Sequence, residues 1–266
     1  MNYQPMYDLA LQLANQAGEE ISVQRQSLTI QFKHADTELV TQADVAADTL
    51  ICEGIKKAFP DHDLLSEELG PNNPKDCEHL WVIDPIDGTV NYAHGHPQSA
   101  VSIAYYHKGE AKVGIVHNPF AKETFAAQKG AGATLNSQPI KCSDKTELKR
   151  ALVATGFPYS KETIDLLMAR LRTIMTNCAD VRRLGSAALD ICWVACGRMD
   201  AYYENVKPWD MAAAHLIASE AGCSFGHIHP VPEGEVVELF SDNVLISTPA
   251  LFSDLQSLLA QADREI

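Results

Sequence analysis

The run Trp81-Val82-Ile83-Asp84-Pro85-Ile86-Asp87-Gly88-Thr89 places two acids three positions apart behind an apolar stretch. An apolar strand would deliver Asp84, and Pro85 would fix a turn that aims both carboxylates at one point. Two such anions repel each other unless a hard cation lies between them. Gly88-Thr89 follows; if a helix begins there, its free N–H groups can hold a phosphate. On its own the same segment also makes an Asp-Gly turn with an Asx cap. Three further acids bear on the choice. Glu67-Glu68 closes an apolar run about one hairpin's length before Asp84, Asp210 follows Trp209 at the start of a helical segment, and Asp44 follows Thr41-Gln42-Ala43. Alone, Asp210 and Asp44 read as ordinary helix caps.

Taken together these residues resemble the inositol monophosphatase family, part of the magnesium-dependent, lithium-sensitive phosphatases. The matching stretches are Leu39-Val40-Thr41 to Asp44, Glu67-Glu68, Asp84 to Asn91, Gly185-Ser186-Ala187-Ala188, and Trp209-Asp210 to Glu220-Ala221-Gly222, spread over nearly the whole chain. The resemblance implies an α/β (α+β) fold, a layered α/β/α/β/α sugar-phosphatase sandwich usually assembled as a homodimer. It implies two or three Mg2+ per subunit. Glu67, Asp84 and the carbonyl of Ile86 would bind the first; Asp84, Asp87 and Asp210 the second; a third, weaker ion would lie near Glu67. Gly88 and Thr89 would contact the phosphate. Glu204, Ala187 and Asp210 fall where the family meets its substrate.

The chemistry accounts for these residue types. A phosphate monoester dianion repels hydroxide, so a site must neutralise it and generate a nucleophile at neutral pH. Two cations about 3.5–4 Å apart can clamp the attacking and leaving oxygens of an in-line displacement. Magnesium takes oxygen ligands and keeps waters, which fits carboxylates without a His or Cys cluster. The attacking water would be oriented by Glu67 and by the Thr89 hydroxyl backed by Asp44. The implied activity is an inositol-1-monophosphatase hydrolysing myo-inositol 1-phosphate and related polyol phosphates. Two alternatives stand beside it: the same chemistry on fructose 1,6-bisphosphate or histidinol phosphate, and a dimeric regulatory or binding protein that retains the fold. Only four residues separate Glu204 from Trp209, one fewer than in many animal members, so the pocket wall is expected to differ.

These residues need elements to position them. Met6, Leu9, Leu13, Ala17 and Ile21 recur at helical spacing within 6–24, and a second helix is expected over 43–58, before Pro60. Leu28, Ile30 and Phe32 alternate as in a half-buried strand, and further strands are expected at 99–106, 111–117 and 123–128. The pattern then changes to strand 151–155, helices 161–176 and 186–196, strand 199–203, helix 210–221, strand 244–247 and helix 250–262. Residues 226–243 read as a loop or irregular strands. The contrast divides the chain into an N-terminal α+β subdomain, 1–147, with most metal ligands, and a C-terminal α/β subdomain, 148–266, with Asp210 and the substrate contacts.

Composition sets the outer bounds. The 266 residues carry 35 acids against 21 Lys and Arg, a charge of −14, which disfavours a nucleic-acid partner. No apolar run reaches membrane-spanning length, and residues 1–5 lack the features of a signal peptide. Seven scattered cysteines without a Cys-x-x-Cys pair read as reduced thiols, so a cytoplasmic protein is expected. His94-Gly95-His96 and His227-x-His229 are not expected to bind metal. Cys192 and Cys196 read as packed thiols, and Trp81, Trp193 and Trp209 as packing anchors. Glu68 reads equally as an acid that orients Lys33 or a water and as a surface acid, and Arg182-Arg183 are assigned first to a subunit interface and second to an anion.

Overall fold

A computed structural model describes residues 2–27, 30–33, 38–68, 77–157 and 163–265, with the side chains of 30–33, 38 and 39 outside the description. In chain order the first half holds α1 (Gln4–Gln24), β1 (Ile30–Lys33), β2 (Glu38–Thr41), α2 (Gln42–Ala58), β3 (Asp63–Ser66), β4 (His79–Asp87) and α3 (Thr89–Ala93). It continues with β5 (Ala100–His107), β6 (Glu110–Asn118), β7 (Glu123–Gln128), β8 (Ala133–Leu135) and β9 (Gln138–Pro139). The second half holds β10 (Leu152–Thr155), α4 (Ile164–Asn177), β11 (Asp180–Arg182), α5 (Ala187–Ala195) and β12 (Ala201–Glu204). It ends with α6 (Pro208–Glu220), β13 (Ser224–His227), β14 (Val244–Ser247) and α7 (Pro249–Ala262).

Strands β3 to β9 form one sheet in chain order, and a second runs β11-β10-β12-β14-β13. Period-two alternation explains how helices cover both faces of the first. On β5, Val101, Ile103 and Tyr105 face the core built with α1 and α2, whereas Ala100, Ala104 and Tyr106 face the core built with α5 and α6. On β12, Tyr202 joins that middle core while Ala201 and Tyr203 join a third one under α7. The layers are therefore α1 and α2, the larger sheet, α5 and α6, the smaller sheet, then α4 and α7. This is the five-layered α/β sandwich expected.

Helix α6 is buried on every side from Met211 to Ala218, which its run of alanines permits. Close approach is built into the sheet below: a Cβ on Gly114 of β6 would lie 2.5 Å from the Ala213 carbonyl oxygen. Among the described residues no helix is long and apolar enough to cross a membrane.

Several sequence readings need correction. Ser224–His227 forms β13, which pairs antiparallel with β14 from Ser224↔Ser247 to His227↔Val244, so a strand starts two residues before the 226–243 stretch read as a loop or irregular strands. The short strands β8, β9 and β11 lacked any periodic signal. Helix α6 begins at Pro208 and α2 at Gln42, so Asp210 and Asp44 occupy the third helical position rather than the cap. Leu28 and residues 161 and 162 lie outside the described residues, as does the Lys33 side chain.

Candidate active site

Strand β4 does not end at Asp84; it continues through Asp87. In a regular strand residues three apart point to opposite faces. Here Asp84 pairs with Ser102 and Asp87 with Ala100, so β4 carries one residue more than β5 over this interval. That bulge brings both carboxylates to one side. Strand β3 runs parallel to β4, with Ser66 opposite Ile83. Glu67 therefore emerges beside Asp84, and its N–H donates to the Ile83 carbonyl at 3.3 Å.

Asp210 approaches from α6. Its Oδ2 accepts the Lys207 N–H at 2.7 Å, closing the first turn of its own helix. Carboxylate oxygens of Asp84, Asp87 and Asp210 all lie within 4.8 Å of one another. Asp44 uses the same device on α2. Its Oδ2 accepts the Thr41 N–H (2.7 Å) and hydroxyl (2.6 Å), while Oδ1 lies 3.3 Å from the Thr89 hydroxyl. The Thr89 hydroxyl also lies 3.0 Å from the Ile86 carbonyl oxygen.

Asp87 is tied to the middle layer. It accepts the Ser186 hydroxyl and the N–H groups of Ala187 (3.2 Å) and Ala188 (2.8 Å), the first residues of α5. Ser186, in the Gly185–Ala188 stretch, carries the capping signal of a Ser before a helix and accepts the Leu189 N–H at 3.3 Å. Gly88 precedes α3 with φ of 86°. A Cβ there would meet the carbonyl oxygens of Gln98 at 2.8 Å and Gly185 at 2.9 Å, so only glycine fits this junction. Asn91 pins the same junction by donating to the carbonyls of Leu184 (2.6 Å) and Gln98 (2.8 Å).

Asp84 is only 1% exposed. Burial first, then the charges of Glu67, Asp87, Asp210 and Asp44, push its carboxyl well above the ordinary range. Burial likewise raises Asp210, with Asp87 adding to it. Burial raises Asp87 to about 6 although Ser186 and the α5 amides pull the other way. So many buried anions facing one point, with no sulfur or imidazole among them, fit a hard divalent cation. Glu67 and Asp210 are the half-exposed members, so the cluster opens on their side.

Glu204 ends β12. It accepts the Tyr202 hydroxyl and packs against Gly156. Burial raises it to about 7, against the opposing pull of Tyr202 and Arg183. Arg182 pairs with Asp180 at 2.7 Å, and the Arg183 guanidinium lies 5.1 Å from the Phe157 ring centre. His227 meets the Phe240 carbonyl, and His229 meets Asp263 at 2.6 Å. Trp81 is buried in the outer core, while Trp193 and Trp209 pack on the middle one. Cys192 is buried there too, with Cys196 beside the same core.

Comparison with known proteins bears on the family and the fold. The profile of the inositol monophosphatase family matches residues 2–263. A protein named Nus factor SuhB from Pasteurella multocida is 40% identical over 233 residues, covering 85% of this chain and 87% of its own. The inositol-1-monophosphatase of Synechocystis is 42% identical over 222 residues, 82% of this chain and 77% of its own. The solved inositol monophosphatase of Anabaena superposes with a TM-score of 0.84 at 35% identity, covering 98% and 97% of the two chains. A bulged strand with paired acids, two helices that each add a third-position aspartate, and a match along almost the whole length make this chain a member of the inositol monophosphatase family of magnesium-dependent phosphatases.

Proposed function

We propose that the protein is a phosphomonoesterase that hydrolyses myo-inositol 1-phosphate and related polyol phosphates. The observation that supports this most directly is the meeting of Asp84, Asp87 and Asp210 within 4.8 Å, beside the Thr89–Asp44 pair. Glu67, Asp84 and the Ile86 carbonyl would hold one Mg2+, and Asp84, Asp87 and Asp210 another, and by resemblance to the family a third, weaker ion would lie near Glu67. Bound at these residues, such ions would supply charge neutralisation for the phosphate dianion, a lowered pKa for a coordinated water and stabilisation of the leaving oxygen.

The chain's own groups do the orienting. Thr89, by donating its hydroxyl proton to Asp44, turns an oxygen lone pair toward the attacking water. Glu67 accepts from the same water on its other side. The N–H groups of Gly88 and Thr89 face the phosphate oxygens. Glu204 and Asp210 accept from substrate hydroxyls, and Ala187 lines the same pocket while its N–H holds Asp87. Lithium, a small hard cation, should compete at the second metal position. The active form on this reading is a cytoplasmic homodimer. A panel of kcat/KM values with Mg2+ tests the proposal: myo-inositol 1-phosphate should lead, and a lead for fructose 1,6-bisphosphate or histidinol phosphate would reassign the substrate.

A second reading, a dimeric regulatory or binding protein that retains the fold, draws on the 40% identity to the Pasteurella relative named Nus factor SuhB. The Asp84→Asn protein separates the two. If it lacks turnover yet restores the phenotype of a deletion strain, the cell's need is for binding; failure to restore assigns it to catalysis.

A further inference from the structure

We propose that Glu78, His79 and His107 form a second metal site, built for a zinc-type cation and separate from the carboxylate cluster. This goes beyond the phosphatase reading and does not depend on it. His79 opens β4, and its cross-strand partner is His107 at the end of β5. Asp84 lies five residues further along β4, about 16–17 Å away at strand spacing.

The two imidazole centroids lie 5.0 Å apart with planes 14° from parallel, and because the nitrogen lone pairs lie in the ring planes, a ring rotation would be needed for both to meet one ion. Each is held at Nδ1 by a tyrosine: His79 by Tyr105 Oη at 2.6 Å, and His107 by Tyr3 Oη at 3.1 Å. When Nδ1–H donates to the tyrosine, the lone pair of Nε2 is left to bind a metal. This is how protein ligands to metals are commonly oriented from behind. His107 Nε2 is buried without a hydrogen-bond partner, and the nearest anion, Glu78 Oε1, stands 3.7 Å away. That is too long for a hydrogen bond. Ligand atoms of Glu78, His79 and His107 all lie within 4.8 Å of one another. Metal–ligand bonds of about 2.0–2.2 Å keep the ligands of one ion within about 4.4 Å. The Glu78 side chain is 62% exposed and can swing to close that gap.

The donor set decides the metal. Two neutral imidazoles and one carboxylate suit Zn2+ and its first-row neighbours, whereas Mg2+ prefers oxygen alone. Three protein ligands also leave a position for water. The competitor is Lys108, whose Nζ lies 3.4 Å from Glu78 Oε1. Behind the pair, His62 stacks on His79 at 4.4 Å and accepts the Trp81 indole N–H at 3.0 Å, so it is committed elsewhere.

Zinc binding to the full chain, measured by equilibrium dialysis with millimolar Mg2+ present to occupy the carboxylates, tests the proposal. One Zn2+ per chain is expected. His79→Gln and His107→Gln should each weaken it about 100-fold, and Tyr3→Phe by about 10–100-fold. Phosphatase activity with Mg2+ alone should be unchanged in all three. Lys108→Asn guards against variants that fail to fold, because Asn accepts the φ of 54° found there. Removing the competing cation should tighten zinc binding several-fold. Equal zinc binding by wild type and both histidine variants would place the ion on thiols or on the carboxylate cluster and overturn the proposal. So would the absence of zinc binding, which would leave a Glu78–His107 ion pair as the reason for the cluster.

Discussion

Thr89 has one hydroxyl proton and two acceptors, the Ile86 carbonyl at 3.0 Å and Asp44 Oδ1 at 3.3 Å. It can serve only one at a time, and donating to Asp44 frees the Ile86 carbonyl. Thr89→Ala should therefore lower kcat by about 100-fold or more while KM changes little. Asp44→Asn should behave alike, and the double variant should lose little beyond either single one. A change confined to KM would make Thr89 a binding residue instead. Glu204, raised by burial to about 7, changes charge near neutrality. As pH rises through 7 it becomes a charged acceptor, so the preference for myo-inositol 1-phosphate over p-nitrophenyl phosphate should grow. Glu204→Gln should abolish that trend and cost the polyol substrate roughly 10–150-fold, the equivalent of about 1.5–3 kcal/mol. Asp87 supplies a third test. Its carboxyl titrates near 6 when folded, above its ordinary value of 3.8. Without metal the folded protein then binds more protons than the unfolded chain across that window, so stability falls as pH rises through it. Melting in EDTA should show Tm declining from pH 5 toward 7, with Mg2+ restoring most at the higher pH; a flat Tm would contradict the assignment.

At the scale of elements, the bulge in β4 does what the spacing of Asp84 and Asp87 cannot. Helix α6 is set just as firmly, by the contact of Gly114 with the Ala213 carbonyl. Gly114→Ala has no side-chain tip to displace, only backbone, so it should push α6 off the sheet. The expected cost is about 1–3 kcal/mol in denaturant unfolding, with weaker Mg2+ binding because Asp210 rides on the helix. Unchanged stability would mean that α6 is free to shift. The long helices and β5 to β7 were legible in the sequence because their apolar residues repeat at 3.6 or 2 over many positions. The bulge was not, since an extra residue is visible only against the partner strand. Strands of two or three residues, such as β9 and β11, hold too few positions to show a period. The candidate acids were legible from their neighbours, but the Ser186–Asp87 bond joins positions 99 residues apart and needed the fold.

Among the described residues the five-stranded and seven-stranded sheets clamp a shared helical layer, and the acid cluster sits where that layer meets the larger sheet. Asp84 and Asp87 come from the sheet, Asp210 from α6, while α5 binds Asp87 from behind. A cation shared among them would couple these elements, as any ligand that binds only the folded state stabilises it. Five of the chain's 35 acids, Asp44, Glu67, Asp84, Asp87 and Asp210, meet here in a site that needs positive charge to function. The most direct measurement is phosphate release from myo-inositol 1-phosphate against Mg2+ concentration, for wild type and Asp210→Asn at pH 8. Asn keeps the volume and can still accept the Lys207 N–H, so the fold should survive, as circular dichroism would show. The predicted result is no turnover in EDTA, recovery at millimolar Mg2+, and a loss of about 100-fold or more in Asp210→Asn. Turnover that ignores Mg2+, or near-native rates in Asp210→Asn, would contradict the account.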